Sequence, residues 1–339
     1  MAASPVAVRS VGLVTSAGFT APATCAAIRA KVGNPTETRF ADKEGEPILA
    51  HQVLLPRSLT GVSRLVRIAR LSIEECLRDL PREQWSRLPV LMCVAEPTRP
   101  GRLPGLDESL PATLQRDLHV TFSADSRVIA AGRVGVAVAL GHARRLIYDA
   151  RHPEVLIVFA DTFVRGDTLD FYDDEDRLLT SANSNGFMPG EGGGALLVGR
   201  PTGNRELVCA GIGFATEFAH IGSDQPLRAD GLTQAHKAAL AEAGCKIEDV
   251  KFRVCDLAGE HYYFKEAALA WGRLWRAHLD DPDVWHPAET MGAAGAALAG
   301  VCLAVAHAAF VGGYAPGDGV LLHFSDDAGQ RASVVGFTG

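Results

Sequence analysis

The chain has 339 residues, 47% of them apolar and 22% charged, which is globular composition with ample core. Its formal net charge of −7 argues against nucleic acid or a membrane surface as the main partner. Its seven cysteines are odd in number and form no CxxC pair, which points to reduced thiols in a cytoplasmic protein and away from a disulfide framework or structural zinc.

The first residues, MAASPVAVRSVGLVTSAG, carry one Arg and no sustained apolar run, so no signal peptide is expected. No apolar window of about eighteen residues occurs, so no membrane-spanning helix is expected. VAVRSVGLVT reads as a strand and APATCAAIRAK as a helix. TGVSRLVRIARLSIEECLRDL reads as a longer helix with apolar residues at helical spacing. Arg64, Arg67 and Arg70 on it could line one face, either solvated or able to meet an acidic carrier protein. RLPVLMCVAE reads as a buried strand. LDFYDDEDRLL (169–179) reads as an acidic loop.

One unit occurs twice. Residues 132–162 run from a Gly-started, small-residue helix through a turn to the strand VLIVFAD. Residues 292–327 repeat that order and end in VLLHFSD. Each copy is followed by a further strand, GGGALLVGR and RASVVGFTG. This implies an α/β layered fold made of two similar halves, 1–204 and 205–339, joined near RPTGNRE (200–206). Helices so rich in Gly and Ala let backbones approach closely, so both should be buried at the centre. Their N-termini would concentrate unpaired N–H groups and positive dipole at a pocket.

NGFMPGEGGGALLVGR (185–200) resembles the Asp-Gly-Phe-x-Pro-Gly-Glu-Gly-x-Gly-x-Leu-x-Leu segment of β-ketoacyl synthases, in the thiolase-like superfamily. Phe187, Pro189, Gly190, Glu191, Gly192 and Gly194 match it in spacing. The first strand and helix are similar to the family's. ETMGAAGAALAG resembles its His-Thr-x-Gly-Ala-Ala-Gly segment, with Thr290 and Gly292 retained. VCDLAGEHYYFKEAALAW sits where the family has Glu-Ala-His-Gly-Thr-Gly-Thr. The resemblance implies a duplicated thiolase fold of five layers, α-β-α-β-α, and a homodimer that buries an edge strand of the first half. The chain is shorter than typical ketosynthases, which implies reduced insertions around the acyl pocket and its cap.

The same resemblance says where catalysis should sit. A ketosynthase uses a Cys nucleophile at a helix N-terminus, where the dipole lowers the thiol pKa, and two His residues. Here no cysteine lies between Cys93 and Cys209, and Ala131 or Gly132 takes the nucleophile's place. The first His falls on Asp256 or Cys255, with His261 nearby but followed by HYYF. The second falls on Glu289. The family Lys becomes Val284, and the Gly-Phe-Gly-Gly-Thr loop becomes HFSDDAG, keeping Phe324 and Gly329. A carboxylate would repel a developing enolate and, unless protonated, has no proton to donate to it.

Two classes of function follow. The first is a degenerate thiolase-fold protein that acts by binding. It could be an adaptor such as one serving a type VI secretion effector, or a chain-length-factor-like subunit that meets a ketosynthase or an acyl-carrier protein. The Gln frequent at the nucleophile position of chain-length partners is missing, which favours the adaptor. The second is an enzyme with altered chemistry, in which Asp256 and Glu289, with Ser126 or His286, converge in the old pocket. The plainer alternative is that Asp256 caps a turn and Glu289 accepts N–H bonds at a helix start. HPAE (286–289) lacks a third ligand, so no metal is expected, and no cofactor pattern occurs. GFMPGEGGG lacks the Lys and Ser/Thr of a phosphate loop. An open tunnel to Gly132, Asp256 and Glu289 would favour a small molecule; a filled one would favour a protein-binding surface.

Overall fold

The computed structural model describes residues 4–275 and 281–339. The chain begins with β1 (Val6–Thr15), α1 (Ala21–Ala30), β2 (Thr36–Ala41), β3 (Pro47–Ala50), α2 (Gly61–Cys76), β4 (Val90–Val94), α3 (Ser109–Leu118), β5 (Arg127–Ala130), α4 (Gly135–Tyr148), β6 (Glu154–Thr162), α5 (Gly166–Asp174) and β7 (Glu191–Gly199). Then follow β8 (Leu207–Thr216), α6 (Asp230–Ala243), β9 (Phe252–Cys255), α7 (His261–Leu274), β10 (Asp283–Trp285), α8 (Ala288–Met291), α9 (Ala296–Gly312), β11 (Gly319–Ser325) and β12 (Gln330–Thr338).

The strands order as β5-β4-β6-β7-β1 and then, in mirror sequence, β8-β12-β11-β9-β10. In each block three strands run parallel and the last two antiparallel. The blocks touch through a short antiparallel pairing of Val6–Val8 with Leu207–Cys209. The β2–β3 hairpin stands apart as a second sheet. Sequence patterning gave no sign of this hairpin, because its strands are short and largely exposed.

Helices cover and separate the blocks. On α2, Leu65, Ile68, Ala69, Ser72, Ile73 and Cys76 recur at helical spacing and pack on the outside of β1, β6 and β7. α6 covers β8 and β12 of the second block, with α7 packed beside it. α4 and α9 lie between the blocks and touch both. The result is the expected five-layered α-β-α-β-α arrangement, a thiolase-like fold.

Close approach explains the small residues of α9. A Cβ on Gly300 would fall 2.3 Å from the Phe159 ring, and one on its cross-strand partner Gly194 would fall 2.4 Å from it. The ring fills the space both glycines leave open. A second crossing joins the segments that precede β7 and α9. Ala293 N–H donates to the Met188 carbonyl at 2.8 Å, and Gly190 N–H donates to the Ala293 carbonyl at 2.9 Å. Gly292 has φ +73, and a Cβ there would meet Pro189 O at 2.8 Å.

Two local expectations are corrected. Residues 169–174 of the expected acidic loop belong to α5, because Leu169 and Tyr172 fall three apart on one buried face. The helix expected straight after Glu289 is broken: α8 is a single turn, and α9 starts only at Ala296.

Candidate functional site: a buried acidic cluster at the central helix starts

The parallel strands end on the face where α4 and α9 begin, and an acid stands at or just past four of those ends. These are Glu96 beyond β4, Asp161 next to the last residue of β6, Asp256 after β9 and Asp326 after β11. Crevices at the carboxyl ends of such strands are where α/β folds bind ligands. Here carboxylates stand at the helix starts that face the crevice.

Gly132, with φ +51, opens the turn leading into α4. A Cβ there would lie 2.1 Å from Glu96 Oε2 and 3.1 Å from Asp326 Oδ2. Gly295, with φ +50, precedes α9, and a Cβ there would lie 2.1 Å from Asp161 Oδ2. Each central helix thus begins at a glycine with a carboxylate in the place of its side chain. Arg99 joins the two carboxylates. Its Nε and Nη2 reach Glu96 at 2.7 and 2.8 Å, and its Nη1 reaches Asp161 at 3.2 Å. Asp161 also accepts Ala296 N–H at 2.8 Å, at the start of α9. Burial raises the Asp161 pKa against the pull of Arg99.

A second network adjoins it. Arg177 pairs with Glu260 at 2.7 Å and with Asp327 at 2.8 Å, and both Tyr172 and Tyr263 donate to Asp327. Burial alone would raise the Asp327 pKa. Arg133 and Arg177 outweigh it and hold the carboxyl well below the usual range. Asp256 accepts Ser325 N–H at 3.0 Å, yet burial still pushes its pKa up to about 6. Asp326 rises to about 6 as well, through burial and then the Glu96 charge. Phe163, Tyr172 and Phe187 pack ring to ring at 5.1–5.5 Å above this layer, and Arg99 lies 4.3 Å from the Phe163 centroid.

The residues singled out by sequence divide. Ala131 and Gly132 do sit at the start of the central helix, and Asp256 faces the same layer. Glu289 does not. It lies half exposed, paired with His286 at 3.1 Å and Lys31 at 3.8 Å. Asp256 is buried and shares no partner with it. The expected Asp256–Glu289 pairing is therefore not formed, because the turn of α8 carries Glu289 to the surface. Nor does Glu289 cap α9; Asp161 does. Ser126 sits at the far end of β5, where its Oγ accepts Val90 N–H at 2.9 Å. It is the wrong end of the strand for the pocket.

The scaffold residues are structural where they stand. Glu191 is buried and accepts Val53 N–H at 2.8 Å, the Thr162 hydroxyl at 3.2 Å and the Arg64 guanidinium. It ties the residue 53 loop to α2. Arg64 is thereby withdrawn from the expected basic face, and Arg70 pairs with Glu74, leaving Arg67 exposed. Phe187, Thr290 and Phe324 are buried. Pro189, Gly190 and Gly292 make the crossing ahead of β7 and α9, and a Cβ on Gly192 would touch Val14 O at 3.2 Å.

Sequence reasoning missed Glu96, Arg99, Asp161, Arg133 and Asp326. A signal existed for the acids: VLMCVAE, VLIVFAD and VLLHFSD each run from apolar strand into carboxylate. Among the described residues, no group of three or more His, Cys, Asp or Glu is placed to hold a metal, and no helix is long and apolar enough to cross a membrane. Cavities of roughly 340, 580 and 830 Å³ open elsewhere, none lined by the four acids.

A scan of protein-family models and a search of curated proteins both return no match. Solved structures do resemble the chain. One belongs to a type II PKS acyl-carrier protein in complex with its ketosynthase bound to the hexaketide, at 15% identity, with a TM-score of 0.81 over 98% of this chain and 99% of that one. The ishigamide ketosynthase/chain length factor matches at 17% identity and TM-score 0.79, over 100% of both chains. A ketosynthase in complex with its chain length factor from Xenorhabdus doucetiae matches at 12% identity and TM-score 0.73, over 99% of this chain and 98% of that one. The expected shortening is not seen against these three, but 99% of this chain covers only 75% of the oxazolomycin ketosynthase domain and 72% of a bacillaene synthase ketosynthase from Bacillus subtilis. The chain has the thiolase-like fold of the ketosynthases from end to end.

Proposed function

We propose that this protein is a catalytically degenerate β-ketoacyl synthase-like protein that acts by binding another protein. One observation carries the reading. Glu96 occupies the space that a side chain on Gly132 would need, on a stretch of chain with no cysteine. Covalent acyl transfer needs an accessible nucleophile and oxyanion donors. Here salt-bridged acids fill that volume.

The neighbours' descriptions bear on the partner. Two concern a ketosynthase with a chain length factor, and one an acyl-carrier protein with its ketosynthase. They favour a chain-length-factor-like subunit, meeting another thiolase-fold chain or an acyl-carrier protein, over a type VI secretion adaptor. We read 1–204 and 205–339 as its two halves and β5, an edge strand, as the surface for a second thiolase-fold chain, its own copy or a relative. Seven free thiols, six of them buried, support a reducing, cytoplasmic setting.

Affinity purification of the tagged chain from its own cells, with mass spectrometry, tests this. A ketosynthase or carrier protein in stoichiometric yield is expected; a secretion effector would favour the adaptor. Intact mass after incubation with acyl-CoA and acyl-carrier substrates should show no adduct. A stable acyl adduct would sink the non-catalytic reading.

A further inference from the structure

We propose that the groove between α1 and α9 binds a linear amphipathic anion of the fatty-acid class. It lies away from the buried acids and stands whether or not the degenerate pocket is read correctly.

β1 and β8 pair over three residues and then part. Beside Arg9, Ser10 and Val11 of β1 lies a cavity of roughly 830 Å³ between one face of α1 and one face of α9, within the range of roughly 300–1,000 Å³ typical of small-molecule sites. Ala21, Cys25 and Ala26 form one wall; Ala304, Ala308 and Val311 form the other. Both sets recur at helical spacing. α9 is apolar except for His307, so its C-terminal half presents mostly apolar surface here, and Val311 is 50% exposed. Cys25 acts as an apolar wall atom, since burial pushes its thiol pKa up to about 12.

The rim is cationic. Arg9, Arg29 and Arg78 border the groove. Glu75 is committed, accepting Leu13 and Ala21 N–H at 2.9 Å. Arg9 leans on Glu206 at 3.7 Å. Among the described residues Arg29 and Arg78 have no carboxylate partner, leaving Asp79 as the one uncommitted acid on the rim. Arg29 is held 4.2 Å over the Tyr314 ring, at the border with the roughly 340 Å³ cavity.

The walls decide between occupants. A peptide brings backbone N–H and C=O groups that need partners; the Ala, Cys and Val side chains here offer few, and Ser10 and His307, which also line the groove, are already bonded to Cys76 O and Leu207 N–H. A hydrocarbon chain needs none. A single carboxylate suits guanidinium groups gathered at the rim.

Titrating the full chain with dansyl-undecanoate and following fluorescence tests the proposal. Saturable enhancement, reversed by decanoate but not by decanol, is expected. Ala26→Trp, at an exposed position of α1, should fill the groove and abolish the enhancement. Arg29→Glu with Arg78→Glu should weaken binding by about tenfold or more. Circular dichroism checks that the variants fold. No saturable binding, equal binding by the folded variants, or displacement by an acidic peptide but not by decanoate would each overturn it.

Discussion

Glu96 and Gly132 face each other so closely that one excludes a side chain on the other: a Cβ on Gly132 would stand 2.1 Å from Glu96 Oε2. Gly132 also has φ +51, a backbone that only glycine adopts freely. Restoring a thiol there should therefore fail. Gly132→Cys is expected to lose roughly 2 kcal/mol or more through backbone strain and the collision. Peptide mapping after iodoacetamide should show that cysteine unmodified in the folded protein. With Glu96→Ala added, the site should alkylate. If the single variant is alkylated readily, or becomes acylated by acyl-CoA, the pocket is open and the present account fails.

Arg99 holds two acids from opposite sides. Its side chain and that of Asp161 are each 4% exposed. Arg99→Met should cost about 3–5 kcal/mol, because it leaves buried carboxylates without their cation. Urea denaturation at pH 7 measures this. The loss should shrink at pH 5, where Asp161, already raised by burial, takes up a proton more readily. A loss that is small at both pH values would show that the three groups are solvated.

Asp326 and Asp256 titrate near 6 in the fold against a usual value of 3.8. The native state binds their protons more tightly than the unfolded chain does. Their favourable contribution is thus full below about pH 4 and fades as pH rises through 6. Asp326→Asn should stabilise the protein by a few kcal/mol at pH 8 and by little at pH 4. Thermal melts across that range give the profile. An equal effect at both ends would show that Asp326 is not raised.

The Phe159 ring between Gly194 and Gly300 predicts a coupled pair. Gly300→Ala alone should destabilise by about 1–3 kcal/mol through overpacking, despite alanine's better helix propensity. Phe159→Leu alone should cost on the order of 1–2 kcal/mol. Together they should cost less than the sum, since the smaller side chain makes room for the methyl. Chemical denaturation of the four proteins checks it; strict additivity would mean the ring and helix do not touch.

Much of this protein was determined by the sequence alone, because its signals are local. Helical spacing marked α1, α2 and the two small-residue helices. Apolar runs marked β1, β4, β6 and β11, and the repeated unit implied the layered fold. The FMPGEGGG motif pointed to the fold class through its resemblance to ketosynthases, and its glycines answer to close backbone and ring contacts in this chain. Tertiary structure alone decided which acids meet. Glu96, Asp161, Asp256 and Asp326 lie far apart in the chain and converge only because their strands run parallel and end on one face. Glu289 was drawn to the pocket by its position in a motif, yet a break of four residues before α9 turns it outward to Lys31 and His286. No pattern of neighbours in sequence carries that direction; it depends on where the backbone of Gly292 crosses Pro189.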